Sequence, residues 1–244
     1  MTMIHNRAIT SMRAVEQLLG ASTVDAPAEL LGALDAYVAA QIDPEPIDLA
    51  RECLTVKADA VPELHIRAAE RETLRAAVPP VRAEVTGLIA RRVVAAFLRI
   101  APAVFDELGV TFTAAVPAFT NALGRLPERL DLETIARTGS GQLSAYEAAQ
   151  EAARDLDAIA SRRDALASLG YAAGGVDPVV EPRTRFASFT DPEAYARFVG
   201  TGKAGPFGWW TTCVRTTGVE LRWQTLDEQR ATAEMLRPPV RVRT

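Results

Sequence analysis

The chain has 244 residues, of which 48% are hydrophobic, 24% charged and 6% aromatic, with a formal net charge of −4. That length allows one large domain or a medium domain with an appendage, and the composition lies within the ordinary globular range, so wholesale disorder is not the default reading. The acidic balance argues against a surface that grips nucleic acid throughout, because phosphate binding needs concentrated positive charge.

Much of the apolar content is alanine, which favours helix but adds little buried area per residue. A mainly helical protein with thin inter-helix contacts is therefore expected. The basic residues are almost all arginine, with Lys57 and Lys203 the exceptions, a bias that fits a gene from a high-GC bacterium or one of its phages. Cys53 and Cys213 stand far apart, so neither a disulfide framework nor a metal-type cysteine pair is expected. Residues Met1 to Arg13 have no apolar core of the kind a secretory signal needs. A cytoplasmic protein, free or built into a particle assembled there, is the expectation.

In chain order, Met12, Val15, Leu18 and Leu19 share one face of a helix over Ala8 to Leu19, stopped by Gly20. Asp25 and Pro27 precede a second helix carrying Leu30, Leu31, Leu34, Tyr37 and Val38. The Asp43-Pro-Glu-Pro46 segment ends it. Ile47 to Lys57 and Glu63 to Ala77 read as further helices separated by proline breaks, and Pro79 and Pro80 are expected to open a new one. That helix has a broad apolar face including Val85, Leu88, Val93 and Phe97, which marks it as the centre of a bundle. Its apolar stretch is interrupted by Arg99, Pro102, Asp106 and Glu107, whereas a membrane span needs about 20 nearly uncharged residues.

Pro102 should kink or restart the chain, and Phe105 to Ala122 is read as helix despite Gly109, Thr111 and Thr113. Ser144 and Glu147 form a capping-box pattern for a long helix to Leu169. Its seam of Tyr146, Ala149, Ala152, Leu156, Ile159 and Leu166 carries Arg163 in line, which suits the edge of a bundle. Gly174, Gly175, Pro178 and Pro182 mark a compositional break, giving a helical domain over 1–170, a linker over 171–187 and a small α+β region over 188–244.

Within that last region, Thr190-Asp-Pro-Glu193 should cap a short helix and Thr225-Leu-Asp-Glu228 a final one. Between them, Trp209 to Arg215 and Val219 to Gln224 read as the strands of a β-hairpin turning at Gly218. The tail Val240-Arg-Val-Arg-Thr244 is expected to be extended and basic. The fold class is thus mainly α, a multi-helix bundle-like body with a small C-terminal α+β region containing a β-hairpin.

Motifs of catalysis do not survive inspection. Gly200-Thr-Gly-Lys203 resembles a phosphate loop, but Arg197 stands where the first glycine belongs and Ala204 where Ser or Thr should follow the lysine. Gly139-Ser140-Gly141 lacks the G-x-S-x-G spacing of a nucleophile elbow and reads as a turn. His5 and His65 belong to no metal-ligand spacing. Neither catalytic residues, a cofactor site nor a metal site is therefore assigned.

The basic clusters Arg91-Arg92 and Arg162-Arg163 read as solvated helix faces with acidic neighbours such as Glu84 and Asp164. Candidate protein-interaction residues are Trp209, Trp210 and Trp223, which hold all the tryptophan of the chain, and Val240, Arg241, Val242 and Arg243 of the tail. The tail alternates apolar and basic residues, as a segment that adds to a strand edge does. The leading expectation is a non-catalytic interaction or assembly protein that self-associates or joins a larger particle, such as a phage or phage-like apparatus. The alternative is an enzyme or small-molecule binder with a site between the helical body and the C-terminal region. A helical nucleic-acid-binding regulator ranks below both.

Overall fold

A computed structural model describes residues 3–41, 60–128, 130, 132–137, 139–171, 185–201 and 206–236. The chain forms two compact units, residues 1–100 and 101–244. The protein is mainly helical, with one small antiparallel sheet of two strands among the described residues. Among those residues no helix is long and apolar enough to cross a membrane. The expected helix Ile47 to Lys57, Cys53 within it, and most of the expected linker over 171–187 lie outside the described residues.

The first unit contains α1 (Met3–Leu19), α2 (Ala28–Gln41) and α3 (Val61–Phe97). Both α1 and α2 pack on α3. The buried side of α1 is the predicted one, Met12, Val15 and Leu18, and α2 turns Leu30, Ala33 and Tyr37 inward. An exposed ion pair joins Arg99, just beyond α3, to Glu29 at the start of α2. The Pro79-Pro80 pair does not open a helix, as its sequence implied; α3 runs through it. Two prolines remove only two amide donors, and in a 37-residue helix with strong helix formers on both sides the remaining hydrogen bonds carry the turn across. The break falls instead after Phe97.

The second unit begins with α4 (Ala101–Gly124), which Pro102 restarts as expected. It is followed by α5 (Leu132–Arg137) and α6 (Ser140–Ser168), and α4 and α6 pack along each other. The helix expected at Ser144 starts four residues earlier: Gly139, at φ 104°, takes the N-cap position, so the Ser144 and Glu147 pattern lies inside the helix. A positive φ there suits glycine, and the backbone can enter the helix without a side-chain cap.

The remaining elements are β1 (Ala187–Phe189), α7 (Pro192–Thr201), α8 (Trp209–Arg215), β2 (Val219–Leu221) and α9 (Leu226–Leu236). The strand expected over Trp209 to Arg215 is a helix. Four consecutive residues, Trp210 to Cys213, are buried there, and surroundings that close on every side remove the wet face an edge strand would show. The partner of β2 is β1, with Ala187 opposite Leu221 and Phe189 opposite Val219. Gly218 has the positive φ that the turn was expected to need, at 82°. The cap of α7 is offset by one residue: Asp191 rather than Thr190 accepts the Ala194 amide, at 2.7 Å. The Thr225 and Glu228 box is as predicted, with the Thr225 amide donating to Glu228 at 2.8 Å and the Glu228 amide to the Thr225 hydroxyl at 3.3 Å.

Candidate functional site

The tryptophans meet in one aromatic cluster in the second unit. Trp223 follows β2, Trp209 and Trp210 open α8, and Phe186 precedes β1; Trp223, Trp210 and Phe186 gather against Phe105 or Phe112 on one face of α4, and Trp209 joins them through Phe186 and Trp210. Because Trp209 and Trp210 sit on a helix, their rings do not point to opposite faces. Their centroids lie 3.6 Å apart, and both rings also contact Phe186. Trp210 is fully buried, and its indole N–H donates to Asp157 of α6 at 2.7 Å. Trp209 and Trp223 are half-buried.

At the centre of the cluster stands Arg163 of α6, which is 1% exposed. The sequence reading placed it on a solvated face; the structure buries it. Its guanidinium carbon lies 4.0 Å from the Trp223 ring centroid, 5.0 Å from Phe105 and 5.1 Å from Phe186. The two terminal nitrogens donate to the carbonyls of Arg185, at 2.7 Å, and Gln224, at 2.6 Å. A planar cation with forked donors can stack on aromatic faces and satisfy carbonyls at once, which an ammonium cannot do equally well. Burial pulls the guanidinium from its ordinary value down to about 9; neighbouring Arg185 adds to the shift and Asp164 opposes it. It stays a cation at neutral pH. Asp164, read as a local partner of this pair of arginines, instead binds Arg185 at 2.9 Å.

Arg163 thereby ties α6 to both segments that flank the small sheet. Gln224 extends the tie: its side-chain amide donates to the Ala187 carbonyl at 2.5 Å, and its amide oxygen accepts from Thr232 at 3.3 Å. The faces of the aromatic box are occupied by a cation of its own chain, which ties α6 to the segments beside the small sheet. The signal in the sequence was a lone charge on an otherwise apolar helical seam.

Beside this box, α4 carries an open groove of about 600 Å³ lined by Phe105, Asp106, Gly109, Val110, Thr113 and the edge of Trp223, among others. Thr113 spends its hydroxyl on the Gly109 carbonyl at 2.8 Å, so Asp106 is the charged group of the lining. Tyr171 packs edge-on against Phe105, its centroid 5.8 Å away, and burial, with Asp106 adding, raises its phenol above the ordinary value.

Val240, Arg241, Val242 and Arg243 lie outside the described residues, as does Lys203. His65 is exposed on α3, and Cys213 is a buried thiol of α8. Among the described residues no group of three or more His, Cys, Asp or Glu side chains could hold a metal ion. In comparisons with known proteins, no family model matches this chain, and neither a curated protein nor a solved structure matches it.

Proposed function

We propose that the protein is a non-catalytic interaction or assembly protein, a cytoplasmic chain that works by binding other protein chains. The observation that carries this reading is the second face of α2. Its inner stripe of Leu30, Ala33 and Tyr37 is buried, yet its outer side also carries leucine and valine, with Leu31 49% and Val38 60% exposed. A surface helix normally has one apolar stripe, facing its core, so leucine and valine exposed on a second side mark a surface that a partner can cover. Burying one such side chain is worth about 1.5–3 kcal/mol, so a partner that covers this face gains from each. A structural subunit of a larger particle, such as a phage or phage-like apparatus, is a setting in which the face is covered permanently.

The experiment is purification of the native protein from its own cell or particle, followed by mass measurement of the intact complex. The reading expects a stoichiometric assembly. A monodisperse monomer with no co-purifying chain overturns it.

A second reading, a small-molecule binder, is favoured by the groove on α4 beside Trp223. A metabolite that raises the melting midpoint of the wild type by several degrees, but not that of a Val110→Arg variant, would support it.

A further inference from the structure

The first unit carries another exposed apolar stripe, on the far side of α3. That helix turns Thr86, Ala90, Val93 and Phe97 inward. Val85, Leu88 and Arg92, at i, i+3 and i+7, share the opposite face, and Val85 and Leu88 are 42% and 55% exposed. The stripe on α2 from Leu31 to Val38 has the same seven-residue span, about 10 Å along a helix axis.

The two stripes differ in charge. The only charged residues of α2 are Glu29 and Asp35, and Glu29 is bound to Arg99. Asp35 lies within the outer stripe, one turn from both Leu31 and Val38. On α3 the stripe holds Arg92, with Arg91 and the single acid Glu84 exposed at its margin. Neither Asp35 nor Arg92 has an ion-pair partner among the described residues. Within one copy both stripes are exposed, so they do not cover each other.

We propose that they meet between copies: α2 of one molecule docks on the far face of α3 of the next, setting Leu31 and Val38 against Val85 and Leu88, and Asp35 against Arg92. This inference rests on the assembly reading and names the partner as a second copy of this chain. Charge complementarity selects the arrangement. Pairing α2 with α2 about a two-fold axis would set Asp35 against Asp35, and pairing α3 with α3 would bring together two faces that each carry Arg91 and Arg92 against the one acid Glu84, whereas α2 on α3 opposes unlike charges. An interface between two different surfaces of the same chain is head-to-tail, so copies add in sequence and form a ring or an open chain.

The test is the mass of the full chain across a concentration series, by light scattering or sedimentation. Wild type should grow from monomer to species larger than a dimer. A Leu31→Gln/Val38→Gln variant and a Val85→Gln/Leu88→Gln variant should each remain monomeric, while their equimolar mixture should form a dimer and nothing larger, because each supplies the face the other lacks. Asp35→Arg and Arg92→Asp should each weaken growth, by about tenfold in the concentration required, and their combination should recover it. If a glutamine variant loses its helical far-UV signal, the charge-reversal pair decides.

A dimer formed by the α3 variant alone would mean that α2 pairs with itself, and would overturn the proposal. So would failure of the charge-reversed double variant to recover association. A wild type that stays monomeric when pure but co-purifies with another chain from its own cell removes self-association and leaves the assembly reading intact. A monomer without any companion removes both.

Discussion

Trp223 rests on the backbone of α4 at Gly109, where a β-carbon would stand 2.8 Å from the indole Cδ1 and Nε1 atoms. The same indole has Arg163 over its face, so it cannot withdraw without uncovering the buried cation. Gly109→Ala should therefore destabilise the protein by roughly 1–3 kcal/mol, the usual cost of overpacking, although alanine is the better helix former. Urea unfolding followed by tryptophan fluorescence measures it. An unchanged or raised midpoint would show that the indole shifts freely, and that the contact does not hold the cluster.

Gly218 and Gly170 separate two reasons for glycine. Both have positive φ, at 82° and 93°, but a β-carbon at 218 would meet the Thr190 hydroxyl at 2.6 Å and the Ala194 β-carbon at 2.9 Å, whereas that at 170 would meet nothing within 4 Å. Gly170→Ala should cost only the left-handed backbone penalty, about 1–2 kcal/mol. Gly218→Ala should cost more, because it also pushes α7 from the end of β2. Equal losses in thermal melts of the two variants would remove the steric part of the argument.

The two helix caps predict loss of stability in acid. The Ala194 amide, then the Thr190 hydroxyl, holds the Asp191 carboxyl below its ordinary value of 3.8. The Thr225 amide, with its hydroxyl and Arg222 adding, does the same for Glu228 against 4.5. Both carboxyls bind protons more weakly in the folded state, so their contribution is full above those ordinary values and is lost as pH falls through the lower folded-state values. Asp191→Asn keeps a cap acceptor without the charge. The double variant Asp191→Asn/Glu228→Gln should therefore melt with a shallower pH dependence below about pH 4.5 than wild type. Parallel acid limbs would show that these carboxyls do not couple to folding.

Local patterns carried much of this fold into the sequence. The apolar periodicity of α1, α2 and α6 and the box at Thr225 and Glu228 depend on residues within a few positions of one another, so they are readable without tertiary knowledge. Trp209 to Arg215 is not, because its aromatic and β-branched residues have strand preference while the enclosure that makes it helical comes from elsewhere in the unit. Nor is β1, three residues long, whose partner β2 lies about thirty positions away with two helices between. In α2 the periodicity joined Leu31 and Val38, now the outer stripe, with Leu30 and Tyr37 of the inner one. What periodicity could not give was which of the two stripes is buried.

Arg163 is the sharpest case of a charge whose role depends on distant residues, and it supports the last prediction. Arg163→Ala leaves the Arg185 and Gln224 carbonyls without a donor and opens a cavity among Phe105, Phe186 and Trp223, which together should cost about 3–5 kcal/mol. Arg163→Lys keeps the charge but loses the planar stack and the fork, and Arg163→Met fills space but satisfies neither carbonyl; both should fall between wild type and alanine. The pH dependence is distinctive. The folded-state value is lowered to about 9 from the ordinary guanidinium range, so above about 9 the unfolded chain binds the proton more tightly, and this group adds stability as pH rises. Below about 9 both states are charged and the group contributes no slope. The stability difference between wild type and Arg163→Met, measured by urea titration, should thus be flat around neutral pH and change only in alkali. A difference that already varied near neutrality would show that the buried group is not the stable cation inferred from its two carbonyls and three rings.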